Sequence, residues 1–158
     1  MNFTDFPRIA FAVLFACASL VLITGCSEER KFDREPTYPV IGKLLVDGKS
    51  VEPPLLGAVR AVAVDAKAFD GEKTTAAQSW TEPDGSFALS TYIKGDGVRP
   101  GTYKITFETG IRNLISGGIG GDVLEGRYKD PDTSEYLVTV TGNETEPIDL
   151  GTIDLSTP

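Results

Sequence analysis

The segment Thr102–Glu108, TYKITFE, decides the fold of this chain. Its apolar residues, Tyr103, Ile105 and Phe107, alternate with polar or charged ones. Successive side chains of a β-strand point to opposite faces, so this alternation predicts a strand with one face in a hydrophobic core and the other in solvent. No segment of the chain shows a helical period over a useful length. The pattern therefore predicts an all-β protein.

Similar strand-like patterns lie on both sides of this segment, separated by turn residues. The predicted strands are Val40–Val46, Val59–Val64, Ala77–Thr81, Ser86–Thr91, Tyr103–Phe107, Tyr136–Val140 and Ile148–Leu155. The two halves of the last strand differ in parity, which predicts a bulge near Gly151. Asp47-Gly48 and Glu82–Gly85 (EPDG) predict tight turns. Seven short strands joined by such turns favour a single antiparallel seven-stranded β-sandwich.

Three stretches carry a resemblance to known proteins. Val40–Val51 (VIGKLLVDGKSV) and Thr81–Phe107 (TEPDGSFALSTYIKGDGVRPGTYKITF) resemble the carboxypeptidase regulatory-like domain, an immunoglobulin/transthyretin-like sandwich. The second stretch, together with Gly126–Val140 (GRYKDPDTSEYLVTV), is similar to a group of small planctomycete lipoproteins of unassigned function. The resemblance implies the fold and an exported location, and it implies no activity. Val51–Val59 and Gly110–Gly126 depart from the family pattern.

The N-terminal region predicts a lipid anchor. An uncharged run, Ile9–Ile23, has the length of a signal-peptide core and is shorter than a bilayer span. Ile23-Thr24-Gly25-Cys26 resembles the lipobox of bacterial lipoproteins, in which the cysteine thiol is acylated and becomes the new N-terminus. We therefore expect a signal peptide at 1–25, a charged tether at 26–39 and the β-sandwich domain at 40–158. An uncleaved signal anchor with an incidental cysteine is the alternative.

Lipidation of Cys26 would place the protein on a membrane. One acyl chain binds reversibly, whereas the two or three chains of a lipoprotein cysteine give stable anchoring. Ser27 follows the cysteine, where an Asp would signal retention at the inner membrane. The sequence therefore predicts an exported, membrane-anchored lipoprotein, with the outer membrane favoured over the inner one.

Composition excludes several functions. The chain has 15 Lys and Arg against 23 Asp and Glu, a net charge of −8, which argues against binding to nucleic acid. It contains no His, which removes Ser-His-Asp and Cys-His nucleophile systems and HExxH zinc sites. Cys17 would leave with the signal peptide and Cys26 would carry lipid, so we expect no disulfide. We also expect no catalytic residue, cofactor or metal.

A calcium site is one alternative to this expectation. Asp130, Asp132 and Glu135 could supply oxygen ligands from the segment Lys129–Glu135, KDPDTSE. The spacing is loose, Pro131 is explained by a turn into the next strand, and Lys129 opposes a cation. The sequence therefore favours a turn.

An internal cross-link is a second alternative, taken from related Gram-positive surface domains that join a first-strand Lys to a last-strand Asn or Asp. The corresponding residues here are Lys43 with Asp149 or Asp154, assisted by Glu108 as the acid. Each of these residues also fits a solvated strand face.

Two functions remain. The first is a lipid-anchored, non-enzymatic envelope module that binds an envelope protein or glycan, or contributes to surface architecture. The second is a carbohydrate-processing enzyme or an accessory carbohydrate-binding domain, which would need a carboxylate pair across a cleft or exposed aromatic platforms. We interpret the large aromatic residues Trp80 and Tyr128 as packed rather than functional.

The segment Gly110–Gly126, GIRNLISGGIGGDVLEG, is the candidate contact surface. It combines a glycine-rich run with more apolar residues than a solvated linker carries. These residues are Ile111, Leu114, Ile115, Ile119, Val123 and Leu124. In one interpretation they cap an open end of the sandwich. In the other they form a contact surface that becomes ordered on a partner.

Overall fold

The strand predicted at Tyr103–Phe107 belongs to the longest one in the described part of the chain. The computed structural model describes residues 34–64, 75–115 and 117–158. Within them the strands are β1 (Val40–Val46), β2 (Lys49–Ser50), β3 (Leu55–Ala63), β4 (Thr75–Trp80), β5 (Ser86–Ala88), β6 (Gly101–Arg112), β7 (Ile119–Gly120), β8 (Leu137–Val140) and β9 (Ile148–Leu155). No helix lies among the described residues, so the all-β prediction is confirmed.

The strands form two sheets. In the four-stranded sheet β1 lies between β9 on one side and β5 and β2 on the other. In the five-stranded sheet the order is β4-β3-β6, and β6 pairs on its other edge with β8 near its start and with β7 near its end. A four-stranded and a five-stranded sheet around one core are compatible with a β-sandwich.

The predicted count of seven strands is wrong for the described residues, which contain nine. The two additional strands, β2 and β7, are two-residue pieces that each pair across a turn with the strand before them. Such short pairs are set by turn geometry rather than by hydrophobic alternation, so the sequence pattern does not reveal them.

The prediction of a purely antiparallel arrangement is also wrong. β1 and β9 pair in parallel, from Val40 opposite Ile148 to Val46 opposite Leu155. Alternation reports which face a side chain takes and carries no information about strand direction. The predicted bulge is confirmed, since the register shifts between Ile41 and Lys43, opposite the part of β9 that contains Gly151.

The predicted boundaries differ from the structure at several strands, although β1 matches. β3 begins at Leu55 instead of Val59, and β4 covers Thr75–Trp80 instead of Ala77–Thr81. β5 ends at Ala88, after which the chain keeps only an isolated bridge between Ser90 and Gln78. The extensions of β3 and β6 pair with each other, so pairing rather than local pattern sets their length.

Both predicted turns are present. Asp47 and Gly48 have φ values of 51° and 74°, the left-handed conformation that a two-residue hairpin turn requires. In the EPDG turn the Gly85 N–H donates to the Glu82 carbonyl oxygen at 2.8 Å. The Asp84 carboxylate accepts hydrogen bonds from the Ser86 N–H and hydroxyl. These contacts fix the entry into β5.

One hydrophobic core cluster draws on both sheets. Tyr103, Ile105 and Phe107 of β6 are fully buried, as their alternation predicts, and they belong to the same cluster as Val40 and Leu44 of β1. The described residues Glu35–Pro158 form one compact unit. Residues of both sheets therefore exclude water from a shared interior.

The strands define two ends of this unit. At the near end, where the chain enters, Tyr38 bridges Val98 and its hydroxyl donates to the Gly142 carbonyl oxygen. At the far end, Val46 at the end of β1 and Leu55 at the start of β3 line a common cavity. β6 runs from the near end to the far end, about 40 Å for a strand of 12 residues.

Candidate functional surfaces

A β-hairpin extends from the far end. β6 continues to Arg112 and pairs back with β7, so the predicted loop contains a formed hairpin. At its turn the Asn113 N–H donates to the Gly118 carbonyl oxygen at 2.9 Å, and the Gly117 N–H donates to the Asn113 carbonyl oxygen at 2.8 Å. The Ile115 N–H donates to Asn113 Oδ1 at 2.9 Å. Local hydrogen bonds thus hold the turn.

The chain returns from the hairpin to the core at Val123 and Leu124. Asp122 Oδ1 accepts from the N–H groups of Thr109 and Leu124, at 2.9 and 3.1 Å. The Val123 N–H donates to the Thr109 carbonyl oxygen. Leu124 is fully buried, and Val123 packs against the core cluster. This burial is what the capping interpretation predicts for these two residues, and Leu124 is not part of the exposed surface.

Three other apolar residues of the segment lie in solvent. The exposed fractions of Ile111, Leu114 and Ile115 are 56%, 86% and 100%. We call these three residues the apolar tip; Ile119, opposite Arg112, is half-buried. Capping does not account for the apolar tip, because more than half of each of these residues is exposed. Clustered exposed aliphatic residues mark contact surfaces more often than isolated ones do.

A cavity of about 510 Å³ adjoins the apolar tip at the far end. Leu55, on its wall, is opposite Ile111 in the strand register. Thr109 is also on the wall, and no described group forms a hydrogen bond with its buried hydroxyl. The lining consists of Val46, Lys49, Ser50, Val51, Glu52, Leu55, Thr109 and Val123. The far end thus combines protruding apolar side chains with a largely apolar recess.

A shallow groove of about 490 Å³ runs over the four-stranded sheet to Trp80 of β4. Trp80 is half-buried and lies outside the core cluster, so the packing predicted for it does not extend to the core. The Arg112 guanidinium lies over the indole, 5.1 Å from the ring centroid. Trp80 shares its parity with exposed Gln78 rather than with buried Ala77, and this alternation could have placed it outside the core.

The rim of this groove carries charges of both signs. Lys94 and Glu82 form an exposed ion pair at 2.7 Å. Lys43 and Asp149 contribute a second cation and a second anion. The full lining is Ile41, Gly42, Lys43, Ser79, Trp80, Glu82, Ser86, Phe87, Ala88, Lys94, Asp149, Gly151 and Thr152. The groove is therefore polar at its rim, with half-buried Trp80 and buried Phe87 as its aromatic lining residues and no net formal charge among the residues that line it.

A second groove of about 510 Å³ continues past Trp80. Ser79, Trp80, Glu82 and Lys94 line both grooves. The exposed fraction of Tyr92 is 37% and that of Ile93 is 63%. The second lining consists of Gln78, Ser79, Trp80, Thr81, Glu82, Ser90, Thr91, Tyr92, Ile93 and Lys94. The two grooves are therefore neighbours that meet at these shared side chains.

Glu108 is buried, and its carboxylate forms two ion pairs. It contacts Arg60 from the neighbouring strand and Lys129, whose Nζ lies 3.0 Å from Glu108 Oε1. Burial raises the pKa of Glu108, and the hydrogen bonds from Arg60 and Lys129 outweigh it, so the pKa lies below its ordinary value. A carboxylate held ionised by two cations is suited to a structural role rather than to proton transfer.

The alternative chemistries receive no support from the described residues. Asp130 Oδ1 accepts the Asp132 N–H, which forms a turn, and the described chain holds no group of three metal-ligating side chains that could bind an ion. Lys43 is exposed, and the Glu108 carboxylate is paired with Arg60 and Lys129. The acid proposed for an internal cross-link is therefore engaged by two other cations.

The predicted lipidation site, Cys26, lies outside the described residues, as do the signal peptide and most of the predicted tether. None of the described segments forms a helix of the length and apolarity needed to cross a membrane. Tyr128 packs against the core cluster, which confirms its interpretation as a packing residue.

Comparisons with known proteins give no assignment. No protein-family model matches the chain, and no curated protein matches it in sequence.

Proposed function

We propose that this protein is a lipid-anchored, non-enzymatic module of the bacterial envelope that binds a partner protein at its far end. The observation that carries the proposal is the position of the apolar tip. The predicted tether joins the domain at Tyr38, at the near end, and the hairpin protrudes from the opposite end. A domain held at one end and apolar at the other is suited to reaching a partner away from its anchor.

The fold belongs to the same proposal. We infer that the two sheets form a sandwich of the transthyretin type, related to carboxypeptidase regulatory-like domains and to small planctomycete lipoproteins. The motif residues that carry the resemblance support it, since the EPDG turn leads into β5 and Pro100-Gly101 leads into β6. An experimental structure with a different strand connectivity would contradict it.

Anchoring is tested at Cys26. The variant C26S should accumulate as an uncleaved precursor that labelled palmitate does not mark, because serine has no thiol for the thioether bond. Density separation of the membranes should place the wild-type protein in the outer membrane fraction. Normal maturation of C26S would contradict the lipoprotein assignment.

Partner binding is tested with a photo-crosslinking residue at Ile115 in the native envelope. Ile115 is fully exposed at the far end, and the matched control position, Asn143, is exposed near the near end. A discrete cross-linked species is expected from position 115, and it should disappear when Leu114 is also changed to Ser. Equal cross-linking from both positions would contradict a far-end contact.

A further inference from the structure

We propose that the depression around Trp80 binds a neutral glycan chain, with the indole as its stacking platform. This inference concerns residues other than those of the apolar tip and does not depend on the proposed function. The depression consists of the groove over the four-stranded sheet and the groove that continues it past Trp80.

Small residues and a bulge create room over the sheet. Ser86 and Ala88 of β5 and Gly151 of β9 line the groove. Gly151 has a φ of 70°, and a Cβ atom placed on it would meet nothing within 4 Å. The bulge turns the backbone of β9 at this point, and bulges frequently lie beside binding sites. The result is a shallow trough rather than a flat strand face.

The indole is held in position for stacking. The Arg112 guanidinium lies over the ring at 5.1 Å, and a cation–π contact of this kind restrains the ring. Trp80 is at the end of β4 and pairs with Ala58 of β3, so its backbone is fixed by the sheet. A fixed aromatic ring loses little conformational entropy when a ligand stacks on it.

The groups around the trough carry charges of both signs. On the lining Lys43 and Lys94 are balanced by Glu82 and Asp149, and the Arg112 guanidinium on the indole adds one cation. Sugar hydroxyl groups can donate to the carboxylates and accept from the ammonium and guanidinium groups. An aromatic platform with mixed hydrogen-bonding groups therefore fits a neutral polyol with an apolar ring face.

The dimensions favour a chain over a single sugar. The two grooves have volumes of about 490 and 510 Å³ and meet at Trp80. Each lies within the range of small-molecule sites, roughly 300–1,000 Å³. Ser90, Thr91 and Tyr92 supply further polar and aromatic contacts in the second groove. A linear oligosaccharide could thus contact both grooves while crossing the indole.

The test uses the only tryptophan of the chain as its reporter. The full chain in detergent micelles is titrated with linear cello-, chito- and manno-oligosaccharides while indole emission is recorded, and binding is checked by calorimetry. We expect a saturable change in emission with at least one series. Trp80→Ala should weaken binding about tenfold or more in the calorimetric measurement, which corresponds to about 1.4 kcal/mol.

Two further variants separate this proposal from its alternatives. Asp149→Asn preserves the side-chain oxygen that accepts the Gly151 N–H and removes a rim charge, so it should weaken binding without unfolding the protein. Ile115→Ser at the apolar tip is the matched control and should leave glycan binding unchanged. Absence of saturable binding with all three series, or equal binding by wild type and Trp80→Ala, would overturn the glycan site and leave the far-end contact standing.

Discussion

Strand β6 runs from the near end of this domain to the far end, and the two ends differ in backbone pairing and in the burial of their apolar residues. At the near end Tyr38 and Val98 exchange two backbone hydrogen bonds of 2.9 Å, and Val98 is fully buried. At the far end β6 continues beyond the core and exposes Ile111. Backbone pairing and burial thus stabilise one end, while the other exposes its apolar side chains.

This difference shows that apolar content does not predict burial by itself. Phe107 and Ile115 are both large apolar residues close in sequence, yet one is fully buried and the other fully exposed. The buried residue faces a second sheet, whereas the exposed one lies on a turn that no described element covers. Substitutions in the two regions should therefore have different effects on stability and on binding.

The largest contrast is expected between Phe107→Ala and Ile115→Ala. Phe107 packs edge-to-face on Tyr136 with ring centroids 5.3 Å apart, and its truncation should lower the free energy of unfolding by about 3–5 kcal/mol. Ile115→Ala should change it by less than about 0.5 kcal/mol. Urea unfolding of both variants measures the contrast. Similar losses would mean that the far end is packed.

A second contrast compares glycines at the two ends. Gly97 has a φ of 94°, and a Cβ atom there would overlap the Tyr38 backbone, so Gly97→Ala should cost about 2–4 kcal/mol. Gly117 has a φ of 71° with nothing within 4 Å of an added Cβ, so Gly117→Ala should cost only the backbone conformational penalty of about 1–2 kcal/mol. Thermal unfolding that ranks the two variants in the opposite order would contradict the closed near end.

A smaller effect is expected from Glu108→Gln, which retains the shape and removes the charge facing Arg60 and Lys129. The variant should lose about 1–2 kcal/mol at neutral pH. Because the folded pKa is lowered, the ionised carboxylate stabilises the fold above its unfolded pKa, and this contribution is lost as pH falls through the folded value. Stability measured from neutral to acidic pH should therefore fall less steeply in Glu108→Gln than in wild type, and parallel curves would refute this role.

The smallest effect is local to the near end. Glu144 accepts hydrogen bonds from the N–H groups of Thr141 and Gly142, at 2.6 and 2.9 Å. The Thr141 N–H is the main reason that the pKa of Glu144 is lowered to about 2. NMR titration of the side-chain carboxyl should find this value. In Thr141→Val, which retains the N–H, the pKa should rise only part of the way toward its ordinary range; full recovery would mean that the hydroxyl dominates.

The sequence by itself determined where most strands run and which side chains face inward. β1 has its predicted bounds, and the buried residues of β6 are the ones its alternation selects. The Asp47-Gly48 and EPDG turns were also predicted from the sequence, because they consist of residue types that favour tight turns. Alternation and turn preferences are local properties, because they follow from the backbone geometry of a few consecutive residues.

Only the tertiary structure decided which strands pair and which apolar residues remain exposed. The parallel pairing of β1 with β9 joins the two ends of the described chain, and nothing in either strand specifies its direction. Leu124 and Ile115 occur in one glycine-rich segment, yet only Leu124 reaches the core. Trp80 was predicted to be packed and instead is half-buried in a groove to which four strands contribute residues. Pairing and burial depend on residues distant in sequence, so they are settled when the sheets pack against each other.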